Sequence, residues 1–276
     1  MKSKGRAAEA AELEKEVQAM EAAPGVQEKV QLVMEDANQA FQERRFEDAE
    51  KLYKQAVALA EKLPGSTPNL IESLGRLAGT YGMRQKFSEA EEVLHRQIAV
   101  TEKSFGPGSP QMTEPLFALG SMAGGLKNYA AAEKYFTQIL GINLKAFGEN
   151  NSRTASSLGT LAGLYMVQSS WAKAETYMLR SVKAEEAASG PDDYEMVMPL
   201  WGLCSLYDMW DKADKSQPCW HRVSQIAEKQ RSENSPEFVR GLTNETKALR
   251  RLGRNDEADK LEQRSAKIQK TSASAD

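Results

Sequence analysis

The chain has 276 residues, 41% of them hydrophobic and 27% charged, enough apolar material for a sizeable core and too balanced for disorder throughout. Lys and Arg number 36 against 39 Asp and Glu, a formal net charge of -3, so no global basic field draws it to nucleic acid. No run approaches the roughly 18 consecutive apolar residues of a membrane-spanning helix, and the opening MKSKGRAAEAAELEKE lacks the apolar centre of a secretory leader.

These features set the expectation of a cytoplasmic protein, or of a periplasmic or secreted one if a leader segment has been removed. Cys204 and Cys219 are too few for a disulfide framework and have no metal-ligand spacing around them. Cys204 is expected to be an inert buried thiol, and a reducing compartment is the default.

Residues 1–28 are expected to form an N-terminal helix and linker. Ala10, Leu13, Val17 and Met20 make a narrow apolar stripe, and Ala23-Pro24-Gly25 breaks the helix. The stripe suits capping of the neighbouring helices, pairing with a partner, or a solvated helix.

From 29 to 270 one pattern returns about six times. Aligned on the small residue of an EAE-like motif, Ala49, Ala90, Ala132, Ala174, Ser216 and Ala258 succeed one another at 41 residues once and then at 42. A fixed period over most of a chain means a stacked array. Three residues before the small residue stand Phe46, Phe87, Tyr129 and Trp171; twelve before it stand Ala37, Ala78, Gly120, Ala162 and Cys204.

Within each period a first helix is predicted from one buried face. Leu74, Leu77, Ala78 and Tyr81 return as Leu158, Leu161, Ala162 and Tyr165, then as Leu200, Leu203, Cys204 and Tyr207, and spacings of three, four and seven mark one side of a helix. A second helix carries Ala90, Leu94, Ile98 and Thr101, or Ala132, Phe136, Ile139 and Leu140, and ends at Gly65, Gly106, Gly148 and Gly190, where glycine suits a left-handed closing conformation. Small residues let the paired helices approach, and the aromatic is expected to fill the gap to the next pair. At the C-terminal end Leu242, Leu249, Ala258 and Leu261 persist among polar residues, as in a terminal repeat with nothing stacked on it. Residues 271–276 are expected to be a disordered tail.

The segment LGRLAGTYGMRQKFSEAEEVLHRQIAVTEKSFGPGSP from Leu74 to Pro110, with its weaker echoes along the chain, resembles the tetratricopeptide repeat in the 42-residue form of kinesin light chain. The resemblance implies an all-α fold, a right-handed α-solenoid of tetratricopeptide helix pairs, and a concave groove lined by the first helix of each pair. On that register the groove stripe holds Gly75, Gly79 and Met83, then Phe117, then Gly159, Gly163, Met166 and Val167, then Trp201, Asp208 and Met209, and Met198 is expected to join them in binding. Gly75, Phe117, Gly159 and Trp201 occupy places where a carboxylate clamp would need lysine and asparagine, so that chemistry is not carried over.

Interior glycines each cost a helix about 0.8–1 kcal/mol relative to alanine. Two readings stay open: a ligand segment lies against bare backbone there, or a many-repeat core tolerates the loss. His95 and His221 stand five residues after the small residue of separate repeats, and no metal, nucleotide or triad motif accompanies them. The expectation is therefore a non-enzymatic scaffold without a cofactor, which binds a protein or peptide segment in the groove. It would bind no nucleic acid and span no membrane. The alternative is a structural or regulatory module whose groove is filled by its own N-terminal helix, or which self-assembles as a homo-oligomer.

Overall fold

The structure, a computed structural model, describes residues 25–63, 67–230 and 235–273. The stripe from Ala10 to Met20, Gly65 and the last three residues lie outside the described residues. The described residues form twelve α-helices and no strand. The chain divides into two compact units, the first ending at Met122 and the second beginning at Ala123.

The first unit contains α1 (25–42), α2 (Phe46–Ala60), α3 (Thr67–Met83), α4 (Phe87–Phe105) and most of α5 (Thr113–Gly125), within which the division falls. Residues 25–28, expected in the linker, are the start of α1. The core joins Val30, Ala37 and Ala40 to Ala49, Tyr53 and Ala56, and these to Leu74, Leu77, Tyr81 and Ala90. The second unit contains α6 (Tyr129–Phe147), α7 (Ser152–Val167), α8 (Trp171–Ser189), α9 (Val197–Met209), α10 (Ala213–Gln230), α11 (Pro236–Arg251) and α12 (Asn255–Ala273). Each helix from α6 onward packs on the next, and α7 also packs on α9. Trp220 is fully buried among Leu203, Cys204 and Leu206, with its indole N–H donated to Asp208 Oδ2 at 2.8 Å.

The turn inside every pair is built the same way. Arg44, Gln85, Lys127, Ser169 and Asp211 hold φ between 54° and 62°, and Gly253 holds 72°. The next N–H returns to a carbonyl five residues back, Lys86 to Tyr81 at 2.9 Å and Ser170 to Tyr165 at 2.9 Å, which satisfies an end carbonyl of the first helix. The residue carrying that N–H then accepts from the aligned small residue, as Lys86 does from Ala90 and Ser170 from Ala174, both at 3.0 Å. The turn thus places the small residue on the first turn of the second helix. The aromatic before it is only partly buried: Phe87 is 36% exposed, Phe46 packs edge-to-face on Phe41 of its own pair at 5.4 Å, and Trp171 packs against the core of the second unit.

The glutamate after the small residue ties one pair to the next. In the second unit Tyr165 donates to Glu133 at 2.7 Å and Tyr207 to Glu175 at 3.0 Å. Burial and the adjoining carboxylate push both phenols well above the usual tyrosine range. In the first unit Glu50 instead meets Lys54, Arg84 and Lys86. Burial alone would raise its pKa, but hydrogen bonds from these cations outweigh that and hold the carboxyl at about 2. In the third pair Ala123 stands at the tyrosine's place.

Gly106, Gly148 and Gly190 close α4, α6 and α8 with φ of 86°, 79° and 103°. Their ψ values of 163°, -179° and 158° put them in the extended mirror region, which only glycine enters readily, and not in the left-handed helical one. Gly148→Ala should therefore lower stability by about 1–3 kcal/mol. Gly141→Ala, on an exposed face of α6 where an added Cβ meets nothing, should raise it by about 0.8–1 kcal/mol. Urea midpoints moving in the same direction for the two variants would contradict the assignment.

The expectation of an inert thiol at Cys204 is corrected. Cys204 on α9 and Cys219 on α10 form a disulfide across one helix pair, with their Cα atoms 5.4 Å apart. Both face the inside of their pair, so the fold brings together residues that no sequence motif links. A bridge with a sequence separation of 15 is expected to contribute about 3 kcal/mol by restricting the unfolded chain. The native protein should show no titratable thiol before reduction and two after it, with a lower melting temperature once reduced.

Candidate functional site

In each unit an open groove runs beside the first helices. In the first unit a groove of about 810 Å³ is lined by Asn38, Phe41, Glu72, Gly75, Arg76, Gly79, Gln97, Phe105 and Glu114. In the second unit a groove of about 460 Å³ is lined by Ser152, Ser156, Gly159, Thr160, Ser181, Glu185, Glu195 and Met198. The two linings coincide at two repeat periods. Ile71, Glu72, Gly75 and Arg76 of α3 correspond to Ala155, Ser156, Gly159 and Thr160 of α7, and Gln97 corresponds to Ser181. Gln111 and Glu114 correspond in the same way to Glu195 and Met198.

Local sequence explains the shared floor. In both units a polar side chain of the second helix reaches across to a carbonyl of the first: Gln97 Nε2 donates to Ile71 at 3.1 Å and Ser181 Oγ to Ala155 at 2.7 Å. Gly75 and Gly159 leave room for it. A Cβ at Gly75 would stand 2.9 Å from Gln97 Nε2, and one at Gly159 would stand 3.5 Å from Ser181 Oγ. Gly75 is thus set by this close approach, whereas a methyl group at Gly159 would make only ordinary contact. Gly79 and Gly163 differ, because an added Cβ would meet nothing within 4 Å.

The chemistry of the two grooves diverges above this floor. The first presents both signs, with Arg76 beside Glu72 at 3.7 Å and Glu114 opposite. It also buries the Gln97 Oε1 atom without a partner. The second presents hydroxyls, the thioethers of Met178 and Met198, and two carboxylates, but no cation among its lining residues. Glu185, 5% exposed, accepts from Ser152 Oγ at 2.8 Å.

Of the sequence-predicted residues, Gly75 and Gly79 line the first groove, and Gly159 and Met198 line the second. Met83, Val167 and Met209 stand at one repeated place near the ends of α3, α7 and α9; they are exposed but line neither groove. Phe117 is also exposed, and Gly163 is half-buried outside the second groove. Met166 and Trp201 pack against the core of the second unit, and the Trp201 ring meets Trp220 edge-to-face at 5.0 Å. Trp201 is therefore a prop for Trp220 and lines neither groove. Asp208, on the predicted stripe, is held by Ser216 Oγ at 2.5 Å and by the Trp220 indole.

Sequence reasoning missed Gln97, Ser152, Ser156 and Glu185. It sought apolar anchors along the whole first helix, whereas the grooves use the N-terminal two-thirds of that helix and polar groups from the second. His95 and His221 both keep half-exposed side chains, His221 beside the buried Glu245 at 2.9 Å. No group of three metal-ligating side chains occurs among the described residues, and none of their helices is long and apolar enough to cross a membrane.

A model of the tetratricopeptide repeat matches residues 37–96 and 71–145. No curated protein sequence matches. Among solved structures the fold is similar to that of BtubC (BKLC) from P. vanneervenii, with a TM-score of 0.64 and 20% identity over 81% of this chain and 89% of that one. It is also similar to a putative kinesin light chain from Podosopora anserina with nearly identical TPR-like repeats, at 0.61 and 17% over 73% of this chain and 96% of that one. A Rap protein complexed with competence and sporulation factor gives 0.51 and 13%, over 88% and 75%.

The two kinds of glycine make opposite predictions. Gly79→Ala should stabilise the chain by about 0.8–1 kcal/mol through helix propensity. Gly75→Ala should destabilise it by about 1–2 kcal/mol, since displacing Gln97 leaves a buried amide and a carbonyl unpaired. Thermal melts of the two variants decide this, and equal shifts would count against the packing role of Gly75.

Proposed function

From the premise that the chain carries tetratricopeptide repeats, we propose that it is a scaffold whose two units each bind an extended segment of a partner protein in a groove against the first helices. The observation that carries this reading is the recurrence of one groove at equivalent positions two periods apart, Gly75 with Gln97 and Gly159 with Ser181. Groove volumes of 460 and 810 Å³ lie within the range of sites that enclose a few side chains of a ligand. Gly79, bare and unneeded for packing, lets a segment approach the α3 backbone in the first groove. The Rap protein, solved in complex with competence and sporulation factor, supports the same reading by analogy of fold.

The same proposal carries a compartment. A disulfide between Cys204 and Cys219 persists in an oxidising environment, which favours the periplasmic or secreted alternative over the cytoplasm.

Glu72 and Ser156 are equivalent, exposed groove positions on α3 and α7, so tryptophan at either fills its groove without entering a core. Displayed random peptides of about twelve residues, selected on the full chain, should yield binders weakened tenfold or more by Glu72→Trp or by Ser156→Trp, with melting curves unchanged. Selected peptides whose affinity survives both substitutions would place binding elsewhere.

A further inference from the structure

We propose that the second groove receives a lysine or arginine side chain of the bound segment, which pairs with the carboxylate of Glu185; the inference rests on the groove reading above. Glu185 is buried in α8, lines the groove, accepts one hydrogen bond from Ser152 Oγ at 2.8 Å, and forms no ion pair among the described residues. A buried carboxylate without a cation is costly to keep. Among the other deeply buried glutamates, Glu50 has three cations, and Glu245 Oε1 has Gln217 at 3.0 Å and the His221 imidazole at 2.9 Å, while its Oε2 is buried without a partner.

The fold does not ask for a charge at this place. The equivalent positions on α4, α6 and α10 are Thr101, Asn143 and Ala227. Thr101 Oγ1 donates back to Gln97 O at 2.8 Å, and Asn143 Nδ2 donates to Ser157 Oγ at 2.7 Å, so each is satisfied within its own unit. Arg153 and Arg180 are engaged elsewhere, on the Phe147 ring at 4.9 Å and on Glu149 at 3.0 Å.

The rest of the groove suits a long cationic side chain better than an ion. Met178 and Met198 line the same groove and can cover an aliphatic stem. Glu195 adds a second negative charge at the rim, and the Ser156 and Thr160 hydroxyls can accept hydrogen bonds from the head. A lone carboxylate with hydroxyls falls short of a metal site, in keeping with the absence of a three-ligand cluster among the described residues.

The test uses the full chain and peptides selected from the random display library. Those weakened by Ser156→Trp should carry a lysine or arginine. Replacing that residue by norleucine, or Glu185 by Gln, should each weaken binding tenfold or more, and the two changes together should cost little more than either alone. Glu185→Gln keeps the shape and the bond from Ser152, so the free chain should melt at a higher temperature than the parent. Binders that depend on Ser156 but lack a basic side chain, or ignore Glu185→Gln, would overturn this inference and leave the groove reading standing. Absence of any binder sensitive to Ser156→Trp would overturn both for this unit. A lower melting temperature for free Glu185→Gln would assign the carboxylate to holding Ser152 and likewise overturn the inference.

Discussion

Between the helices of every pair one residue with φ of 54° to 72° carries the chain round, and the N–H of the next residue returns to a carbonyl five residues back. Five of these six residues are not glycine, and each such residue stands in a conformation that costs an L-amino acid about 1–2 kcal/mol. Packing must over-determine the turn to hold them there. Its effect is positional: the aligned alanine or serine is bonded to the end of the turn, and the glutamate after it then faces the next pair. The bonds from Tyr165 to Glu133 and from Tyr207 to Glu175 result from that placement.

Glycine plays three unrelated parts on this frame. At Gly148 and Gly190 the backbone enters a region closed to other residues. At Gly75 and Gly202 a Cβ would collide with Gln97 or with Met178 of the adjoining helix. At Gly79 and Gly163 neither reason applies. Only the last kind leaves a cost in helix propensity that internal structure does not explain, and Gly79 lies in a groove.

The period, the small residues and the inward face of Leu74, Leu77, Ala78 and Tyr81 were legible because they are properties of a single helix repeated along the chain. The pairing of Cys204 with Cys219 was less so. Tested against metal spacings and secreted frameworks they match nothing, yet one stands twelve residues before the aligned Ser216 and the other three after it, on facing helices of one pair. The turn residues were hidden for a different reason: arginine, glutamine and lysine give no signal of a positive φ, which here is imposed by the packing on either side. Glu185 was hidden because its meaning lies in what fails to surround it, and a missing cation leaves no mark in sequence.

A repeat protein could present the same surface along its length, but these two grooves do not. At equivalent places Arg76 faces Thr160, Glu72 faces Ser156 and Glu114 faces Met198 in an alignment of the linings. The shared elements are those that shape the floor, and the substituted ones are those that give each groove its charge and polarity. A segment that satisfied the mixed charges of the first groove would leave Glu185 unpaired in the second, while a basic segment suited to the second would meet Arg76 in the first. Like charges brought together at a binding surface discriminate as strongly as opposite ones attract, so on the proposed reading the two units would hold different sequences on a common backbone geometry.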